Sequence, residues 1–199
     1  MSLTTMDQRT ALLVVDMQEG VVGLPTVHPA ADVVGRTASL AAAFRPRKLP
    51  VVLINVAGGA PGRNEMPRST SAPKPNWTDL VPQLQVSDDD HLVTKKRWNA
   101  FYGTSLHEYL QSADVTQVVI AGIATSIGVE STARSAYDHG YHVTLAVDAM
   151  TDTDARAHDN SVGRVFPKLG ETGTAAELLA LLDQTHPRLR NSQGWRGSW

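Results

Sequence analysis

The sequence predicts an α/β protein built on an open parallel sheet with helices on both faces. Short, mainly apolar runs of strand length recur at residues 11–15, 51–56 and 117–121. A strand covered on both faces reads this way, without alternation. Segments with helical spacing and helix-end signals fall between them. The 199 residues, 42% of them hydrophobic, are enough to bury one core.

Taken in order, residues 11–15 form the first run and stop at Asp16. Residues 33–47 place apolar groups at helical spacing, and Pro50 follows the expected helix end. Residues 51–56 read as a second buried strand. Residues 57–90 are rich in Gly, Pro, Ser and Asn, and this length points to a functional loop rather than an ordinary connection. A third strand over 91–94 ends at Lys95. Ser105 and Glu108 have the spacing of a capping box and open a helix. Residues 117–121 are the fourth strand, and a helix over 125–139 ends at Gly140, a usual C′ glycine. The fifth strand covers 141–147. A helix over 154–165 and a short strand at 165–166 follow. Thr174 and Glu177 form another capping box, opening a last helix to about residue 183. Residues 1–185 read as one domain and 186–199 as a tail. The tail is too polar for core yet carries Trp195 and Trp199, so it either lacks order or docks on this subunit or a neighbour.

A net charge of −2 gives no reason to expect a nucleic-acid or anionic-membrane partner. The apolar runs fall far short of the ~20 residues of a membrane span. Residues 1–10 lack an apolar signal-peptide core, so a cytoplasmic protein is expected. The chain has no cysteine, which removes disulfides, zinc–thiolate sites and thiolate catalysis together. The seven histidines show no ligand spacing, and no GxGxxG or P-loop pattern occurs, so neither metal nor nucleotide cofactor is expected.

In open parallel sheets, ligands bind beyond the carboxyl ends of the strands. Three polar features fall there: Asp16 after the first strand, Lys95 after the third, and the turn from Ala124 to Gly128 after the fourth. Each has a plain alternative. An aspartate after a strand is often a turn residue. Lys95 stands in a basic cluster with Lys96 and Arg97. Thr125 and Ser126 could simply cap the next helix. Their convergence on one rim is the case for a site that binds a small-molecule substrate.

The motifs around these residues resemble those of the isochorismatase-like hydrolases. Val14-Val15-Asp16-Met17-Gln18 is similar to the family's opening motif. The stretch from Lys95 to Leu106, with Ala100-Phe101, is similar to its second, and its spacing selects Lys95 over Lys96. The turn at 122–133, followed by Gly140-Tyr141 and Asp148-Ala149, is similar to its third. The resemblance covers about residues 11–182. It implies six parallel strands in the order 3-2-1-4-5-6, a Rossmann-like three-layer sandwich. It implies Asp16, Lys95 and Gly128 at the catalytic centre, with Gln18, Phe101, Ala124, Thr125 and Ser126 at the substrate. It also implies a non-proline cis peptide between Ile123 and Ala124. Zinc-binding nicotinamidase-like members carry Asp and His after the second strand, and residues 55–63 have neither.

Gly128 is the departure: most members carry a nucleophilic cysteine at that point. Isochorismatases proper also have glycine there and cleave a vinyl ether by carbon protonation, without a covalent intermediate. Their lysine motif has the spacing of Lys95, Arg97, Ala100 and Phe101. Ala124-Thr125-Ser126 is nearer the general hydrolase pattern. The resemblance therefore implies a cofactor-free hydrolase using Asp16 as general acid/base. The alternatives are amide hydrolysis by direct water attack, or a member that binds a metabolite or partner without turnover. Ser126 and Ser131 are displaced from position 128 and would be weak nucleophiles. Arg63, Arg68 and Lys74 could hold carboxylates. Trp77, Trp195 and Trp199 lie outside the periodic segments, and a homo-oligomer interface would explain them.

Overall fold

The computed structural model describes residues 3–65 and 74–187. Its strands are β1 (Thr10–Val15), β2 (Val51–Val56), β3 (His91–Lys95), β4 (Gln117–Ile123), β5 (His142–Thr151) and β6 (Glu171–Gly173). All neighbours pair in parallel, in the order β3-β2-β1-β4-β5-β6. Helices α1 (Glu19–Val22), α2 (Ala30–Phe44), α3 (Leu106–Ser112), α4 (Glu130–Asp138), α5 (Ala155–Asn160), α6 (Phe166–Leu169) and α7 (Ala175–Thr185) complete the chain. Leu12, Val14 and Leu53 face one apolar layer with residues of α2 and α7. Leu13, Val15 and Ile54 face the other, with residues of α3 and α4. Every residue of β1 is buried, the reason its sequence shows no alternation. Each such aliphatic side chain contributes about 1.5–3 kcal/mol by leaving water.

Several elements differ from expectation. The helix expected over 33–47 is α2 followed by a 3-10 turn, Arg45–Arg47; Pro46 has no N–H with which to continue an α-helix. The expected strand at 165–166 is absent. Val165 closes a π turn, Ser161–Val165, and Phe166 opens α6 and is fully buried. The sixth strand is instead Glu-Thr-Gly at 171–173, which has no apolar pattern to reveal it. β5 runs four residues past Val147, with an irregular register between Ile120 and Gly122 of β4. Polar Asp148 is accommodated there because its Oδ1 accepts from the Ala175 amide at the start of α7 (2.6 Å). Thr174 and Glu177 form the expected capping box. Ser105 makes no capping bond; Thr104 Oγ1 accepts from the Leu106 amide instead (3.3 Å).

No helix among the described residues is long and apolar enough to cross a membrane. Arg68 and the tail tryptophans, Trp195 and Trp199, lie outside the described residues.

Candidate active site

Asp16 is the first residue beyond β1, and its backbone turns into the left-handed region (φ 52°). Aspartate is among the residues that tolerate this conformation. Lys95 ends β3, two strands away, a gap of about 9–10 Å at ordinary strand spacing. The lysine stem spans it. Lys95 Nζ donates to Asp16 Oδ2 at 2.6 Å and to the Arg97 carbonyl at 3.1 Å. The residues are 5% and 2% exposed. Asp16 Oδ1 is buried and has no hydrogen-bond partner. Burial therefore outweighs the attraction of Lys95 and lifts the Asp16 carboxyl from 3.8 to about 6.

The β4 end meets the same place. Gly122 has φ +136°, and a Cβ there would lie 2.1 Å from the Val15 carbonyl oxygen. Only glycine lets β4 approach β1 this closely just before Asp16. The Ile123–Ala124 peptide is cis. The chain then enters a π turn, Thr125–Val129. A Cβ built on Gly128 would lie 3.0 Å from both Asp16 Oδ2 and Val15 Cγ1. Position 128 thus faces the carboxylate directly, and the structure brings Asp16, Lys95 and Gly128 together.

The other expected residues divide. Gln18 uses its amide inside the protein: Nε2 donates to the carbonyls of Val56 (3.0 Å) and Trp77 (2.9 Å), and Oε1 accepts from the Val56 amide (2.6 Å). It is fully buried and fastens the end of β2 to the long loop, so it is a fastener rather than a substrate contact. Phe101 is buried in the layer of α3 and α4, against the rings of His139 and Tyr141; an apolar ring there serves packing. Thr125 is buried, with its hydroxyl bonded to His158 Nδ1 (2.9 Å). The Ala124 carbonyl accepts from the amides of Ile127 and Val129. The Ser126 amide is occupied by Asp152, whose Oδ2 accepts at 2.7 Å while Oδ1 takes the Thr153 and Asp154 amides.

Asp152 was missed by sequence reasoning because β5 was expected to stop at Val147. With the strand running to Thr151, Asp152 obeys the same strand-end rule as Asp16. Ser131 donates its hydroxyl to the Ile127 carbonyl.

An open groove lies beside the buried pair, walled by residues adjacent to each part of it. Glu19 and Gly20 follow Asp16, Arg97 supplies the carbonyl that holds Lys95, and Ser131 lies one turn past Gly128. Asp16, Lys95 and Gly128 are not themselves part of the groove wall. Trp98 and Tyr102 stand on its rim, 65% and 67% exposed. Trp77, expected at an interface, is half-buried and faces the groove. No group of three or more His, Asp or Glu suited to a metal ion occurs among the described residues.

Residues 10–177 match the isochorismatase domain family. The chain belongs to the isochorismatase family. It is 37% identical over 182 residues to an uncharacterized isochorismatase family protein, YecD, of Escherichia coli O157:H7, covering 87% of this chain and 96% of that protein. It is 34% identical over 149 residues to a streptothricin hydrolase of Streptomyces noursei, covering 74% of this chain and 51% of that protein. The solved structure of an isochorismatase family protein from Burkholderia thailandensis superposes with a TM-score of 0.87 at 40% identity, over 92% of this chain and 100% of that one. Members of the isochorismatase family are generally hydrolases.

Proposed function

We propose that this isochorismatase-family chain is a cofactor-free hydrolase in which Asp16 is the general acid/base and no covalent intermediate forms. One observation carries the reading: a buried carboxyl held at about 6, with Oδ1 unpartnered and Oδ2, bonded to Lys95, facing position 128, a residue without a side chain. Such a group holds or releases a proton near neutral pH. The chain has no thiol that could attack.

The substrate class that fits is a small vinyl ether bearing a carboxylate. Protonated Asp16 gives its proton from Oδ1 to the terminal enol carbon. The ether oxygen shares the resulting positive charge as an oxocarbenium ion. Water adds to the carbon that bears the ether oxygen and returns a proton to Asp16, leaving a hemiketal. The hemiketal then breaks its C–O bond, releasing a ketone and an alcohol. The Lys95 ammonium, held by the Arg97 carbonyl, stabilises the carboxylate formed in the first step.

A ureidoacrylate amidohydrolase of Pantoea ananatis, 30% identical over 172 residues, favours a second reading, in which ionised Asp16 activates water against an amide. The two readings have opposite pH profiles. As acid, Asp16 gives a kcat/KM that falls as pH rises through about 6; as base, one that rises. Assays of isochorismate and of simple amides across pH 5–8 separate them. Turnover of neither substrate class, with metabolite binding retained, would support a binding protein instead.

A further inference from the structure

Trp77 lies within the long loop between β2 and β3, and it sits on a glycine. A Cβ placed on Gly20 would lie 2.2 Å from Cδ2 and from Cε3 of the Trp77 ring and 2.8 Å from Cε2. Contact with these fused-ring carbons means that the face of the indole covers the backbone of α1. No side chain at position 20 leaves room for it. The seat is fastened on both sides. The Gly20 amide donates to the Trp77 carbonyl (3.1 Å) and the Glu19 amide to the Asp79 carbonyl (2.9 Å). Gln18 Nε2 holds the same Trp77 carbonyl, and Asn55 Nδ2 holds the Thr78 carbonyl (2.9 Å). Four hydrogen bonds thus fix residues 77–79, only a few residues along β1 and α1 from Asp16.

Trp77 and Gly20 both line the groove. The charge of its described wall is one-sided: Arg63, Lys74 and Arg97 against Glu19. Arg97 Nη1 donates to the carbonyls of Gly59 (3.0 Å) and Lys96 (2.7 Å), which anchors the guanidinium at the groove. A fixed aromatic face beside anchored positive charge discriminates by shape as well as by charge.

We infer that Trp77, held on its Gly20 seat, is the specificity-determining wall of the groove, selecting small anions with a planar π face over saturated anions of similar size. This rests on the reading that the groove serves Asp16, and it adds which molecules are admitted. Gly20 acts through Trp77 and is a positioning residue.

The test is isothermal titration calorimetry of the full chain with benzoate and with cyclohexanecarboxylate. Wild type is expected to bind benzoate about two- to ten-fold more tightly, the range of one aromatic face contact. Trp77→Ala is expected to abolish that preference. Gly20→Ala displaces the indole and is expected to abolish most of it. The double variant is expected to match Trp77→Ala alone, because both changes remove one wall. Trp77→Phe, the gentler replacement, is expected to keep part of the preference. Equal affinity for the two acids in wild type, binding of neither, or full preference in Gly20→Ala would overturn the inference. Asp16→Asn is expected to keep the benzoate preference. Normal turnover in that variant would refute the acid/base reading and leave this test standing.

Discussion

Among the described residues two ion pairs have a buried carboxylate, and they are built differently. Asp90 receives Arg45 through both oxygens, Nε to Oδ1 at 3.0 Å and Nη2 to Oδ2 at 2.8 Å, and Oδ2 also takes the Ser87 amide at 2.8 Å. Arg45 Nη2 donates further to the Leu84 carbonyl. This two-point pair ties the 3-10 turn after α2 to the segment before β3. Asp16 has one partner on one oxygen and none on the other. A satisfied carboxylate gains fixed geometry from its partners. An unsatisfied one in a dry site is held near neutrality and keeps an oxygen available for chemistry. The comparison separates a pair that holds the fold from a pair suited to move a proton.

The sharpest break between the two comes from substitution. Asp16→Asn is expected to lower turnover by roughly 10²–10⁴-fold, the usual range of a general acid/base, with far-UV circular dichroism unchanged. Asp90→Ala should do the reverse. It leaves Arg45 facing an empty site and is expected to cost about 3 kcal/mol in urea unfolding, while kcat of the folded fraction stays near wild type. Loss of turnover in Asp90→Ala with unchanged stability would erase the distinction.

A smaller effect follows from proton linkage. Asp16 binds its proton more tightly in the folded chain, at about 6, than at its ordinary 3.8. The folded state is therefore favoured at low pH, and this contribution fades as pH rises from about 4 to about 6. Urea melts across that window should show the loss in wild type and not in Asp16→Asn. Gly128→Cys sharpens the geometry. Its Cβ would stand 3.0 Å from Asp16 Oδ2 and Val15 Cγ1, so about 1–3 kcal/mol of crowding is expected. Lys95 and the helix start should depress the thiol pKa. Iodoacetamide should label this sole cysteine faster than free cysteine; slower labelling would mean that position 128 does not meet the pair. The smallest expected effect concerns association. We propose that the exposed faces of Trp98 and Tyr102 meet a second copy. Light scattering should give a mass above 21.4 kDa at micromolar concentration, and a monomer would exclude it.

Asp16 was legible in the sequence because an apolar run ends at it, and Lys95 because the third strand was expected to end there and the motif's spacing selects it over Lys96; strand ends in a parallel sheet share one rim. Gly128 was legible through the motif around it. What the sequence hid depends on partners far along the chain. Gln18 reads as a rim polar group until Val56 and Trp77 are seen to take its amide. Phe101 sits inside a site motif, yet it is buried in the apolar layer of α3 and α4, against the rings of Tyr141 and the exposed His139. Gly20 carries no signal apart from Trp77, fifty-seven positions on. The end of β5 was hidden by Asp148, a polar residue that stops an apolar run in sequence and caps a helix in space.

The central claim is that Asp16 is a proton-transfer group rather than a structural anion. Carboxyl carbon NMR of aspartate-labelled protein tests it without a substrate. Wild type is expected to show one aspartate titrating near pH 6, and that resonance should be missing in Asp16→Asn. Assignment of Asp16 to a resonance that titrates below about pH 4, the ordinary aspartate range, would contradict it.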